Sequence, residues 1–157
     1  MAHLNGMTLK NCLGNHGHKQ MHQLTHQELF DKAVIATYLQ GMPSRNESGC
    51  LYRSGDGLKC TVGHLIDDEH FKPMTNTTSI LAVIDPSTYN GSMLRESLEN
   101  SGVPTDEDTI KFLRDMQFAH DSAYKHNFRE SFWCNSKSVA QRFGLPMPEK
   151  PQNNEDH

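Results

Sequence analysis

Thr25-His26-Gln27-Glu28 opens a segment whose beginning and end are both written in side-chain chemistry. A threonine hydroxyl can accept from the third helical amide while a glutamate three residues on reaches back to the threonine amide, which is a capping box. Phe30, Ala33, Val34, Thr37 and Tyr38 follow at helical spacing, and Gly41 and Pro43 stop the run. A helix fixed this firmly near one end of a short chain needs partners for its apolar face. The rest of the sequence supplies them as further helices. Met93, Leu94 and Leu98 predict a helix ending near Gly102, and Thr105-Asp106-Glu107-Asp108 opens another with acids in its first turn. Ile110, Leu113, Met116, Gln117 and Ala119 lie on overlapping faces of that helix. Phe128, Phe132, Val139, Ala140 and Phe143 mark a final helix closed by Gly144. The aromatic stripe Phe128, Phe132, Trp133 and Phe143 reads as core. Ser79–Ile84 is an apolar run bounded by Asp85-Pro86, and periodicity leaves strand and short helix equally open.

Between the first helix and this set lies the chain's densest polar chemistry, Gly49-Cys50-Leu51-Tyr52-Arg53-Ser54-Gly55-Asp56-Gly57-Leu58-Lys59-Cys60-Thr61-Val62-Gly63-His64-Leu65-Ile66. Residues 44–49 read as loop. Cys50–Arg53 and Leu58–Thr61 flank a Ser-Gly-Asp-Gly turn, so a short β-hairpin or a tight hairpin-like loop is expected there, with a short helix from Thr61 to about Ile66. The fold class is therefore mainly α, four or five helices around one core with a small β-hairpin, and α+β is the alternative. Residues 1–24, with His3, His16, His18 and His22, and residues 146–157 read as tails, leaving one domain over 25–145.

A formal net charge of −4 argues against general nucleic-acid binding, which needs a basic face. No apolar run approaches the ~20 residues that span a bilayer, and no secretory signal is evident at the amino end, so a soluble cytoplasmic protein is expected. Four cysteines (Cys12, Cys50, Cys60, Cys134) without such a signal are expected to be reduced thiols.

Three chemistries compete for the glycine-rich segment. Cys60 before a short helix, with Lys59 beside it and His64 four residues on, could be a nucleophile and base, as in a cysteine hydrolase or transferase; a small buried anchoring thiol is the bland reading. Cys50, Cys60 and His64, with Cys134 or a tail histidine as a fourth ligand, could hold a structural metal, although the ligand spacing lacks the usual close pairs. The Cys12–His18 tract could also capture metal. Arg53 and Lys59 across a turn, with Tyr52 and with Gly57 and Gly63 permitting close approach, have the elements of a phosphate or nucleotide pocket. The alternative is a surface hairpin whose Arg53 pairs with Asp67 or Asp68. His120-Asp121 could be a ligand or proton-transfer pair, or a polar pair on a helix surface. No motif implies a cofactor.

Gly49-Cys50-Leu51-Tyr52-Arg53, the run Gly57–Ile66 and Asp67-Asp68 resemble a family of small proteins encoded by bacteriophages and prophages. Its members tend to show Cys-x-Tyr-Arg followed by Gly-x-Lys-Cys-Ala-x-Gly and Leu-Ile. Leu113–Asp121 and Val139–Leu145 extend the resemblance to roughly residues 26–145. Thr61 departs from the alanine of that pattern, and His64 stands where many members have a second cysteine. The resemblance implies a setting more than a reaction: a phage accessory protein, anti-defence in role, that acts without catalysis in the cytoplasm of an infected cell. Its partner would be a nucleotide-like or phosphorylated ligand, or a host protein to be blocked. A homo-oligomer is left open, and a metal-stapled interaction domain is the remaining alternative.

Overall fold

The computed structural model describes residues 22–85 and 87–152. Four α-helices among them, α1 His26–Gln40, α2 Tyr89–Asn100, α3 Glu107–Asp121 and α4 Phe128–Phe143, surround one apolar core, so the chain is mainly helical with a small sheet. The expected capping box is formed: Thr25 Oγ1 accepts from the Glu28 amide at 3.1 Å, and Glu28 Oε1 accepts from the Thr25 amide at 3.2 Å. Gly41 closes α1 in the left-handed region at φ 71°, where a Cβ-bearing residue would be strained. Asp106 caps α3 by accepting from the Thr109 amide. The bend from α4 is closed by Gly144. Leu29, Phe30, Ile110, Phe112, Leu113, Phe132 and Val139 interlock at the centre, with His26 stacked on Phe112 at 4.8 Å. Each such side chain contributes about 1.5–3 kcal/mol by leaving water.

The sheet is elsewhere than the spacing predicts. β1 Arg45–Asn46 pairs antiparallel with β2 Gly49–Cys50, Arg45 facing Cys50 and Asn46 facing Gly49. This hairpin occupies the stretch expected to be loop, because Asn46 Oδ1 accepts from the Ser48 amide at 2.9 Å and tightens the turn. Of the two forms expected over residues 50–61 the tight hairpin-like loop is the one adopted: the Ser54 amide donates to the Leu58 carbonyl at 2.9 Å, and no strand pair forms there. The Arg53 amide donates to Asn76 Oδ1 and the Lys59 amide to Gln40 Oε1, so side chains of neighbouring segments take the bonds a ladder would need. The chain then runs through short 3₁₀ turns, Val62–Leu65, Asp68–His70, Pro73–Thr75 and Ile80–Val83. The last of these resolves the apolar run 79–84 as a helical turn rather than a strand.

The carboxyl end also differs from expectation. Pro146 accepts from the Gln27 amide nitrogen, Met147 packs on the core, and Lys150 pairs with Glu130 at 2.7 Å while lying over Tyr38 and Trp133. The segment therefore belongs to the domain as far as Lys150. The amino-terminal histidine and cysteine tract, apart from His22, lies outside the described residues. No described helix is long and apolar enough to cross a membrane.

Candidate functional site

Arg53, the most conspicuous cation of the glycine-rich segment, is spent inside the fold. Its side chain is 15% exposed, and its guanidinium donates to the carbonyls of Tyr52 (3.2 Å), Gly63 (2.6 Å) and Ile66 (2.7 Å) and to Asp68 Oδ1 (3.0 Å). It also lies 4.9 Å from the centre of the Phe71 ring. A guanidinium has five donors in a planar fork, and this one uses them to hold a 3₁₀ turn in place. Lys59 Nζ donates to the same Asp68 oxygen at 2.9 Å, and the two cations hold the Asp68 carboxyl below its usual range. Asp68 thus occupies the position an anionic ligand would need. This is the Arg53–Asp68 pairing of the bland reading.

The glycines follow the same logic. A Cβ on Gly63 would collide with the Tyr52 carbonyl oxygen, so Gly63 serves close packing of backbone on backbone. Gly57 sits at φ 78° in open space and serves the turn. Tyr52 is 3% exposed and donates its hydroxyl to the Thr78 carbonyl at 2.7 Å. Of the five residues expected to form an anion pocket, Arg53 bonds the carbonyls of Tyr52 and Gly63 and meets Lys59 at Asp68, so the donors of both cations are directed to groups of the fold.

Cys60 is fully buried, its sulfur accepts from the Gly63 amide, and no cleft exposes it to a substrate among the described residues. His64 has its Nε2 buried without a partner, and burial, with the charges of Lys59 and Arg53, pushes its pKa down to about 4. It is a neutral packing group rather than a tuned base for Cys60. Cys50 and Cys60 are near enough to influence one another, but His64 does not join them within ligand reach. Among the described residues, the grouping with three ligand atoms mutually within 4.8 Å is Asp67, Glu69 and His70. Cys134 stands exposed on α4.

The open site lies on the other side of Tyr52. A cleft of about 420 Å3 is walled by the hairpin (Asn46, Ser48, Gly49, Cys50), by Thr77–Ile80, and by Arg114, Gln117, Phe118 and Asp121 of α3. The hairpin is set against α3 by His120, which is buried. Its Nε2 accepts from the Ser44 amide at 3.1 Å, so its Nδ1 carries the proton shared with Asp121 Oδ1 at 2.8 Å. Arg45 adds bonds to the Asp121 and Ala123 carbonyls. Gln117 secures the other wall, its Oε1 accepting from the Val62 amide at 3.2 Å.

That arrangement leaves the second half of the Gln117 amide unused. Its Nε2 is buried and makes no hydrogen bond of ordinary geometry, although it lies near enough to Cys50 to favour a thiolate there. The larger influences act the other way. The neighbouring Cys60 and burial push the Cys50 thiol up, which favours its neutral form. Phe118 is 66% exposed at the rim. The cleft combines hydroxyl and amide groups, one cation, one acid and an aromatic face, which suits recognition of a planar hydrogen-bonding ligand.

Gln117 on the core stripe of α3 is a signal visible in the sequence, as is Phe118 standing off that stripe one turn from Arg114. Asn46, Ser48 and Thr77–Ser79 carry no such signal. No family model, curated protein or solved structure matches this chain.

Proposed function

We propose that this chain is a non-catalytic binding protein of the phage accessory type, acting in the cytoplasm of an infected cell, and that a nucleotide-like ligand enters the cleft between the hairpin and α3. The resemblance supplies the setting. The observation that carries the binding site is the Gln117 Nε2 group, buried at the cleft with the Cys50 sulfur nearby and no hydrogen bond of ordinary geometry. An unused buried donor costs about 1–3 kcal/mol, a cost that an acceptor on a ligand would remove. Phe118 offers a face for a base, and Arg114, paired through its Nε with Asp115 at 3.2 Å, lines the cleft as its one cation. Arg53 and Lys59 are engaged by Asp68 and do not take part. The raised thiol of Cys50 and the buried Cys60 favour binding over cysteine catalysis.

Calorimetric titration with the four ribonucleoside monophosphates tests this. The expected result is saturable 1:1 binding of at least one of them, abolished by Gln117→Leu with the fold intact by circular dichroism. Absence of heat across the panel overturns the nucleotide reading and leaves a host protein as the partner.

A further inference from the structure

A second, shallower and more open cleft adjoins the first. It has a volume of about 480 Å3 and is lined by Ala82, Thr88, Tyr89, Asn90 and Gly91. Thr77 and Thr78 line both clefts and form the ridge between them. The ridge is anchored from below, since the Thr78 carbonyl accepts the Tyr52 hydroxyl and the Thr78 amide donates to the Thr75 carbonyl. The far wall is also fixed. Gly91 lets the Ala82 carbonyl press against α2, and an added Cβ would collide with it.

Three aromatic side chains stand largely exposed among the described residues, Tyr89 at 69%, Phe118 at 66% and Tyr124 at 77%. Two of the three are divided between these clefts, one on each side of the threonine ridge. Aromatic faces left in water at fixed sites are stacking platforms when a base reaches them. The ridge presents threonine hydroxyls, which donate to phosphate oxygens, and neither Thr77 nor Thr78 has a carboxylate next to it in sequence.

From this layout we infer that the ligand belongs to the dinucleotide class, with one base against Phe118 in the first cleft, the other against Tyr89 in the second, and the phosphodiester over Thr77 and Thr78. The inference rests on the nucleotide reading of the first cleft and extends it across the ridge. The Gln117 amide reads the first base, and the second is held by stacking alone, so the second site adds affinity with little base preference.

The test compares each ribonucleoside monophosphate with the linear and 3′,5′-cyclic dinucleotides of the same base by calorimetry, using the full chain and the variants Phe118→Ala and Tyr89→Ala. Both aromatic side chains are exposed, so neither replacement removes core packing. A dinucleotide should bind at least tenfold more tightly than its monophosphate. Tyr89→Ala should weaken the dinucleotide at least about fivefold and leave the monophosphate unchanged, whereas Phe118→Ala should weaken both. Equal affinity for the two ligands, or a Tyr89→Ala protein with undiminished dinucleotide binding, overturns the two-cleft inference and leaves the single-cleft reading standing. Failure of every nucleotide to bind overturns both.

Discussion

Two neighbouring regions of this protein each hold a buried nitrogen without a partner, His64 Nε2 in the loop and Gln117 Nε2 at the cleft, but they differ in how they use their other conspicuous groups. In the loop from Tyr52 to Asp68, each conspicuous cation has its partner: Arg53 bonds three carbonyls and a carboxylate, and Lys59 takes the same carboxylate. In the cleft beside it, Gln117 keeps a buried donor idle and Phe118 stays in water. Satisfied groups stabilise a fold, and unsatisfied ones at an opening are where a ligand can gain free energy. The eye-catching residues therefore build the support, and plainer ones form the site.

The sharpest way to break this contrast is Gly63→Ala. The added Cβ meets the Tyr52 carbonyl oxygen, backbone that cannot yield, so the variant should lose about 3 kcal/mol in urea denaturation. A neutral effect would show that the turn is loose enough to admit a ligand. Arg53→Met comes next. It strands the carbonyls of Gly63 and Ile66 and should cost about 2–3 kcal/mol, with nucleotide affinity unchanged at temperatures where the variant is folded. Lost affinity with unchanged stability would return Arg53 to the binding site.

How far the sequence could lead is seen in the same residues. The ends of α1, the start of α3 and the end of α4 were legible because a capping box, first-turn acids and a glycine act within one turn of their own backbone. The hairpin was displaced by several residues because its choice depended on Asn76 and Gln40, which are near only after folding. The site was harder still. Local spacing places Lys59, Cys60 and His64 together and offers Asp67 or Asp68 as a partner for Arg53, but nothing local tells that Asp68 will take Lys59 as well. His120 is the converse case: a polar residue that reads as surface is buried because the Ser44 amide, from a distant segment, needs an acceptor.

Acid titration separates the regions by a third route. The pKa of His64 is about 4 in the folded protein against 6.5 for the free side chain, lowered first by burial. Above pH 6.5 both states are neutral and its contribution is complete. As the pH falls from 6.5 towards 4, the unfolded chain takes up a proton that the folded one refuses. Stability should then decline by at most about 1.4 kcal/mol per pH unit, and by about 2 kcal/mol in all after allowance for its partial exposure. His64→Gln should flatten this part of the profile in denaturation series at fixed pH. The smallest effect belongs to Lys59→Met, because its partner Asp68 is 80% exposed, and a cost below about 1 kcal/mol is expected.

The most direct measurement pairs that mild loop variant with the cleft. The monophosphate that binds the unaltered protein is titrated into Lys59→Met and into Gln117→Leu under identical buffer and salt. Unchanged affinity for Lys59→Met together with lost binding for Gln117→Leu is the predicted outcome. Lost binding for Lys59→Met with full binding retained by Gln117→Leu would place the ligand on the loop and contradict the account.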